Sequence, residues 1–346
     1  MQRKKVKKNL SITDIARALN ISITTVSFIL NGKAEEKRIS KAVSDKVLKL
    51  VAELNYKPNQ LAKSLRTGKT YIIGLIVEDI SNTFFSNIAR LIEEVAYKKG
   101  YRIIYCSTEN DIAKTKELIS MFRERHVDGY IITPSEGIEK EVDELLKQNL
   151  PVVLFDRDLP ALAANYVGID NFGSAYGGVR HLLEQGFERI AFITLDSEQS
   201  QMTERLDGYR KALQVHNKPA YLCKIPFGEQ KERIVAQMVA FLEEKKEIDA
   251  VIFATNYLAI SGLEAIKRLG LDIPRQLGVV AFDEHDIFPL YSPSISSITQ
   301  PVTEIAEHLI KILLKNLDDT TRPHQAESVV LPTSLIIRES SLKKDK

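Results

Sequence analysis

Two serines, Ser11 and Ser22, each stand just before a run whose apolar residues recur at helical spacing. A serine there can accept from the free backbone N–H groups of a first helical turn, and Asp14 sits where a capping-box acid belongs. The first run, Leu10 to Leu19, puts Ile12, Ile15, Ala16 and Leu19 on one face. The second, Ile23 to Leu30, turns Val26, Ile29 and Leu30 inward and Ile23, Thr24 and Ser27 outward. Asn20 between them suits the left-handed backbone of a tight turn. Asn31-Gly32 ends the second run. Two short helices joined by such a turn form a helix-turn-helix, whose second helix enters the major groove and sets its N-terminal residues against base edges. A third helix, capped by Ser40 and reaching about Asn55, is expected to pack through Val43, Val47, Leu50, Val51 and Leu54.

Charge points the same way. The net charge of +2 conceals 16 Lys+Arg against 5 Asp+Glu in residues 1–70, and 32 against 41 in the remainder. A small basic region on a larger acidic one implies a polyanionic partner for the small region alone. With 346 residues and 44% hydrophobic composition, the chain has enough material for two or three compact units with real cores.

Several function classes recede. No apolar stretch is long enough for a membrane span, and no apolar segment of signal-peptide length follows the basic N-terminus. A cytoplasmic protein, associated with the nucleoid, is expected. Cys106 and Cys223 are far apart and form no C-x-x-C pair; both read as small buried hydrophobes. The six histidines lack metal-ligand spacing. No G-x-G-x-x-G, P-loop or G-x-S-x-G is present, so no enzyme activity, cofactor or metal is expected.

From Tyr71 the pattern becomes strands alternating with helices. Strands are predicted at Ile72–Val77, Arg102–Ser107, Gly129–Thr133, Pro151–Phe155, Arg189–Thr194, Ala250–Ala254 and Gly278–Phe282. That rhythm, in two similar halves, implies parallel sheets covered on both faces, with a ligand cleft at the carboxyl ends of the strands.

The wording of the chain resembles the LacI/GalR family of bacterial repressors. The matching segments are Leu10–Ala16, Ser22–Ser27, Leu30–Gly32 and Ala52–Asn59. Further matches are Asp79–Phe85, Asp128–Ile132, Asp170–Ala175, Arg205–Tyr209 and Phe282–Glu284. The resemblance implies an all-α helix-turn-helix headpiece plus an α/β periplasmic-binding-protein-like body of two parallel-sheet subdomains. The implied divisions are a DNA-binding domain at 1–57, a hinge helix and linker at 58–69, and an effector-binding and dimerisation body at 70–346. Within the body, the N-subdomain takes about 70–169 and 300–325, and the C-subdomain about 170–299 and 326–340.

The same resemblance implies DNA contacts by Ser11, Ser22, Ile23, Thr24, Ser27, Asn31, Tyr56, Asn59, Lys63 and Leu65. Leu65 is the residue that wedges into a minor-groove base step. It implies ligand contacts by Phe84, Phe85, Asp156, Gln199, Gln201, Arg205, Phe227, Asn256 and Asp283. Phe84, Phe85 and Phe227 would stack on a ring, with core packing the alternative for Phe84 and Phe85, and Arg205 would offer a fork of donors. Asp156, Asn256 and Asp283 would take hydroxyls; for Asp156 an ordinary pair with Arg157 is the alternative. Two departures stand out. Phe28 replaces an arginine usual on the base-facing side, and Tyr257 replaces the usual aspartate after Asn256. The loop at 33–38 also looks longer than usual.

The function implied is a repressor of carbohydrate-utilisation genes. It would bind double-stranded palindromic operator DNA as a homodimer, with a tetramer also possible, and answer to a small sugar-like effector. Control by a protein co-effector or a non-sugar molecule is the alternative.

Overall fold

The computed structural model describes residues 11–56, 64, 68–318 and 325–343. The chain divides after Thr70 into two compact units.

The first unit holds α1 (Ile12–Leu19), α2 (Ile23–Leu30) and α3 (Lys41–Glu53). The capping box at Ser11 is complete: its hydroxyl accepts from Asp14 N at 3.3 Å, and Asp14 Oδ2 accepts from Ser11 N at 2.9 Å. Asn20 takes the left-handed turn at φ 52°. Ser22 Oγ accepts from Thr25 N at 3.0 Å and starts α2. Ile15, Ala16, Val26, Ile29 and Val47 form the buried centre. The third helix ends two residues earlier than expected, because Asn55 turns left-handed at φ 46°. Leu54, expected in the packing stripe, is therefore 38% exposed, and Tyr56 packs against the core instead. The loop at 33–38 is a closed turn in which Ile39 N donates to Ala34 O at 2.8 Å, and both residues join the core.

The second unit contains two six-stranded sheets. The first half runs β1 (Ile72–Val77), α4 (Thr83–Lys98), β2 (Arg102–Ser107), α5 (Ile112–Glu124), β3 (Gly129–Ile132), α6 (Glu139–Lys147), β4 (Val152–Phe155) and β5 (Asn165–Ile169). The second repeats it with α7 (Asn171–Glu184), β6 (Ile190–Leu195), α8 (Ser200–Val215), β7 (Tyr221–Ile225), α9 (Lys231–Glu244), β8 (Ala250–Phe253), α10 (Asn256–Leu269), β9 (Gly278–Phe282) and β10 (Ser296–Thr299). Then come α11 (Val302–Asp318), β11 (Ser328–Leu331) and β12 (Ser334–Ile336). The sheet orders are β11-β5-β4-β3-β1-β2 and β12-β10-β9-β8-β6-β7. All pairings are parallel except β10 with β12. The central strands β3, β4, β6, β8 and β9 are buried throughout, as parallel strands covered on both faces must be.

The chain crosses between the sheets three times: from β5 to α7, from β10 to α11, and from β11 to β12. The last crossing corrects the expected subdomain limits. β11 lies beyond residue 326 yet pairs with β5 in the first sheet, so the return to the second sheet falls at 332–333. The described segment after β12 is anchored on the second sheet. Ser340 and Ser341 are fully buried, with Ser340 Oγ donating to Val279 O at 2.7 Å and accepting from Ser296 N at 2.8 Å. Helices α7 and α8 approach so closely that a Cβ on Gly208 would lie 2.2 Å from Phe172 O, which only glycine permits. No single described helix is long and apolar enough to cross a membrane.

Candidate functional site

In the headpiece, Ser22, Ile23 and Thr24 are exposed at the start of α2, with Ile23 at 47%. Ser27 is not outward: it is 9% exposed, beneath Asn31, whose Nδ2 donates to Ser27 O at 2.6 Å and to its hydroxyl at 3.3 Å. The turn of α2 that carries Val26 and Ile29 into the core takes Ser27 with it. Ser11 and Asn31 remain exposed, and Tyr56 is half-buried, its phenol pushed up by burial. Phe28 is half-buried, with Lys37 Nζ 5.6 Å from its ring centroid. Asn59, Lys63 and Leu65 lie outside the described residues.

In the second unit, polar side chains collect at the carboxyl ends of strands from both halves. Glu78 follows β1, Asp156 and Arg157 follow β4, Asn256 opens α10 after β8, and Asp283 follows β9. Asp156 and Asp283 are counterparts in the repeat, each bent left-handed at φ 68° so that the chain turns out of the strand. Each backbone N–H still pairs with the next strand: Asp156 N with Val167 O at 3.3 Å, and Asp283 N with Ile298 O at 2.9 Å.

Arg205 reaches in from α8 and is 2% exposed. Its Nε donates to Asn171 Oδ1 at 2.9 Å, its Nη1 donates to Ala254 O at 2.7 Å, and its guanidinium lies 3.6 Å from the Phe282 ring centroid. Arg157, 3% exposed, pairs with Glu78 and donates to Asn110 Oδ1 at 2.8 Å and Asp156 Oδ2 at 3.3 Å. The Gln201 amide, with its oxygen toward Arg157, accepts from Nε at 3.0 Å. Burial pushes the carboxyls of Asp156 and Asp283 above their usual range, against the pull of Arg157 and Arg205 on the first and of Arg205 and Gln300 on the second. Burial likewise raises the Tyr257 phenol.

Two cavities adjoin here. The inner one, with Phe84, Phe85, Asp156, Gln201, Arg205 and Asp283 in its wall, has a volume of about 30 Å³. That is room for about one water. The outer one, about 710 Å³, is bounded by Asn82, Phe227 and Asn256 and carries Glu78, Asp79, Glu109, Asp111 and Glu229. Among the described residues no lysine or arginine lines it. Thus six of the expected ligand residues meet at the inner cavity, while Phe227 and Asn256 border the outer one. Phe227, 38% exposed, does not face Phe84 and Phe85 as a second stacking wall of the inner cavity. Gln199 borders neither.

Asp156 forms the Arg157 pair that was its alternative reading. Sequence reasoning missed Glu78, Asn110, Asn171 and the role of Arg157. The available signal was positional: Glu78 ends β1 as Asp156 ends β4. Among the described residues no group of three or more His, Cys, Asp or Glu side chains could hold a metal ion. Both cysteines are half-buried and unpaired, and burial pushes the Cys223 thiol up to about 11, so it is a poor nucleophile.

A three-helix DNA-binding unit joined to a two-sheet body with a polar cleft defines a DNA-binding transcription regulator. Comparison with known proteins places it further. Residues 11–59 match the family described as bacterial regulatory proteins, lacI family, and residues 179–341 match a periplasmic binding protein-like domain. The ribose operon repressor of Halalkalibacterium halodurans is 30% identical over 335 residues, covering 96% of this chain and 97% of that one. The regulator RegA of Clostridium saccharobutylicum is 31% identical over 340 residues, covering 96% and 99%. A LacI family regulator from Enterococcus faecium solved with bound ribose is 27% identical with a TM-score of 0.71, over 79% of this chain and 100% of that one. The lac repressor dimer on its operator, at 22% identity, shares the fold over 97% and 100% with a TM-score of 0.84. The chain belongs to the LacI family of bacterial regulatory proteins.

Proposed function

We propose that the protein represses carbohydrate-utilisation genes in the cytoplasm. It binds palindromic operator DNA as a homodimer and is switched by an uncharged, polyhydroxylated ligand in the cleft. The observation carrying this reading is the convergence of donors and acceptors from both halves on one cavity: Arg157 and Asp156 from the first, Gln201, Arg205 and Asp283 from the second. Such a set matches sugar hydroxyls, and Phe84 and Phe85 supply an apolar wall for a ring face. The acid-lined outer cavity disfavours a phosphorylated sugar. The acids serve as hydroxyl acceptors, so the cleft binds without reacting. Because the inner cavity holds about one water, a ligand enters only when the halves part, and that motion couples the cleft to DNA affinity. Such couplings are typically about 1–3 kcal/mol.

Ribose is the first probe, since a ribose operon repressor and a ribose-bound regulator are among the relatives. Calorimetry of the full chain with ribose, then with other neutral sugars, should show binding that shifts operator affinity. Arg205→Lys should lose it, since an ammonium cannot replace a planar fork. If only phosphorylated sugars bind, the uncharged-ligand reading fails. The wedge role of Leu65 is tested by Leu65→Ala, which should weaken operator binding far more than binding to random duplex.

A further inference from the structure

Helix α2, the helix expected to read the groove, carries the side chains Ile23-Thr24-Thr25-Val26-Ser27-Phe28-Ile29-Leu30. It carries no arginine, lysine, histidine, amide or carboxylate. Guanine is read best by an arginine or lysine on O6 and N7, adenine by asparagine or glutamine, and cytosine by a carboxylate. None of these pairings is available from α2. Val26, Ser27 and Ile29 are committed to the core. The Thr25 hydroxyl is 2.8 Å from Ser22 Oγ, within the cap that starts the helix. What faces outward is apolar at two points: Ile23 at the first helical position, 47% exposed, and Phe28, half-buried. Thr24 lies between them and shares a helix face with Phe28, four residues on.

An isoleucine left in water at the reading end of the helix gains by covering an apolar group in the groove. The major groove offers one such group, the C5-methyl of thymine. Lys37, paired with Glu36 at 2.8 Å, stands 5.6 Å from the Phe28 ring and puts a cation beside that surface. We propose that the headpiece reads its half-site chiefly through thymine methyl groups, with Ile23 and Phe28 as the reading surfaces, and not through guanine acceptors. This rests on the assignment of residues 11–56 as the DNA-binding headpiece.

The test starts from sites selected out of random duplex by the full-length protein at near-physiological salt. Each thymine of the enriched half-site is then replaced singly by deoxyuracil, which lacks only the methyl. Each guanine is replaced by 7-deazaguanine, which lacks N7. Every contacted methyl should cost about fourfold in affinity, the equivalent of ~0.8 kcal/mol for one buried carbon. Ile23→Ala, at an exposed site that leaves the fold intact, should abolish the penalty at one thymine. Phe28→Arg should bring a guanine into the selected site. Tenfold or larger losses at guanines with silent deoxyuracil substitutions would overturn the inference alone. A selection that enriches nothing would overturn both the inference and the assignment of the headpiece.

Discussion

Arg157 and Gln201 join the two halves of the body: the guanidinium of the first donates to the amide oxygen of the second at 3.0 Å. Arg157 is anchored on its own side by Glu78 and Asn110, so Gln201 is the removable end of the bridge. A hydrogen bond to a charged group contributes about 1.5–3 kcal/mol. Gln201→Ala should therefore favour an open cleft by roughly 10- to 100-fold. Small-angle scattering of the ligand-free protein should show a larger radius of gyration; an unchanged one would sink the bridge as a determinant of closure.

Glu78, with Asp156 beside it, is the counter-ion that allows Arg157 to be charged while buried. Removing one partner of a buried pair typically costs about 3–5 kcal/mol, because the other charge is left uncompensated. Glu78→Ala should lower the unfolding free energy of the body by that amount, read from its urea midpoint and slope. Glu78→Gln should cost less, since its amide oxygen still accepts from Arg157. Equal losses for the two variants would show that the lost charge alone sets the cost, and no loss in the glutamine variant would contradict an electrostatic role.

The Asp283 carboxyl is raised above 3.8, mainly by burial. The native state thus binds its proton more tightly than the unfolded chain does. The stability this confers is complete below pH about 4 and is lost as pH rises through the higher native value. Above it, carrying the charge weakens the fold. Asp283→Asn keeps an oxygen for Gln300 Nε2, which donates to Asp283 at 2.6 Å. The variant should melt higher than the parent at pH 7–8 and alike near pH 4. A gap that does not grow with pH would refute the assignment.

Ser22 holds the start of the reading helix through Thr25 N and the Thr25 hydroxyl. Ser22→Ala should destabilise the headpiece by about 1 kcal/mol. Ser22→Gly should cost only a few tenths. Amide hydrogen exchange in α2 reads this directly, and equal protection in the parent and the alanine variant would remove the cap from the argument.

What could be read from the chain depended on how local its causes were. The caps at Ser11, Ser22 and Ser40 act within four residues, and each is found where its sequence pattern puts it. Strands such as β1, β6 and β9 are continuous apolar runs because both faces are covered. By contrast β7 and β11 lie at sheet edges or carry exposed residues, and their mixed sequences give no clear period. β5 hides behind Asn165, a buried amide that donates to Val152 O and accepts from Glu327 N. The central ion pair was the least legible feature. Glu78 and Arg157 are 79 positions apart, and an acid at a strand end looks like any solvated loop residue until the fold brings the arginine to it.

The placing of β11 and β12 in different sheets has a mechanical consequence. With three separate strands of chain passing between the halves, neither half can slide along or swivel freely against the other. Any relative motion of the halves must bend all three connections at once.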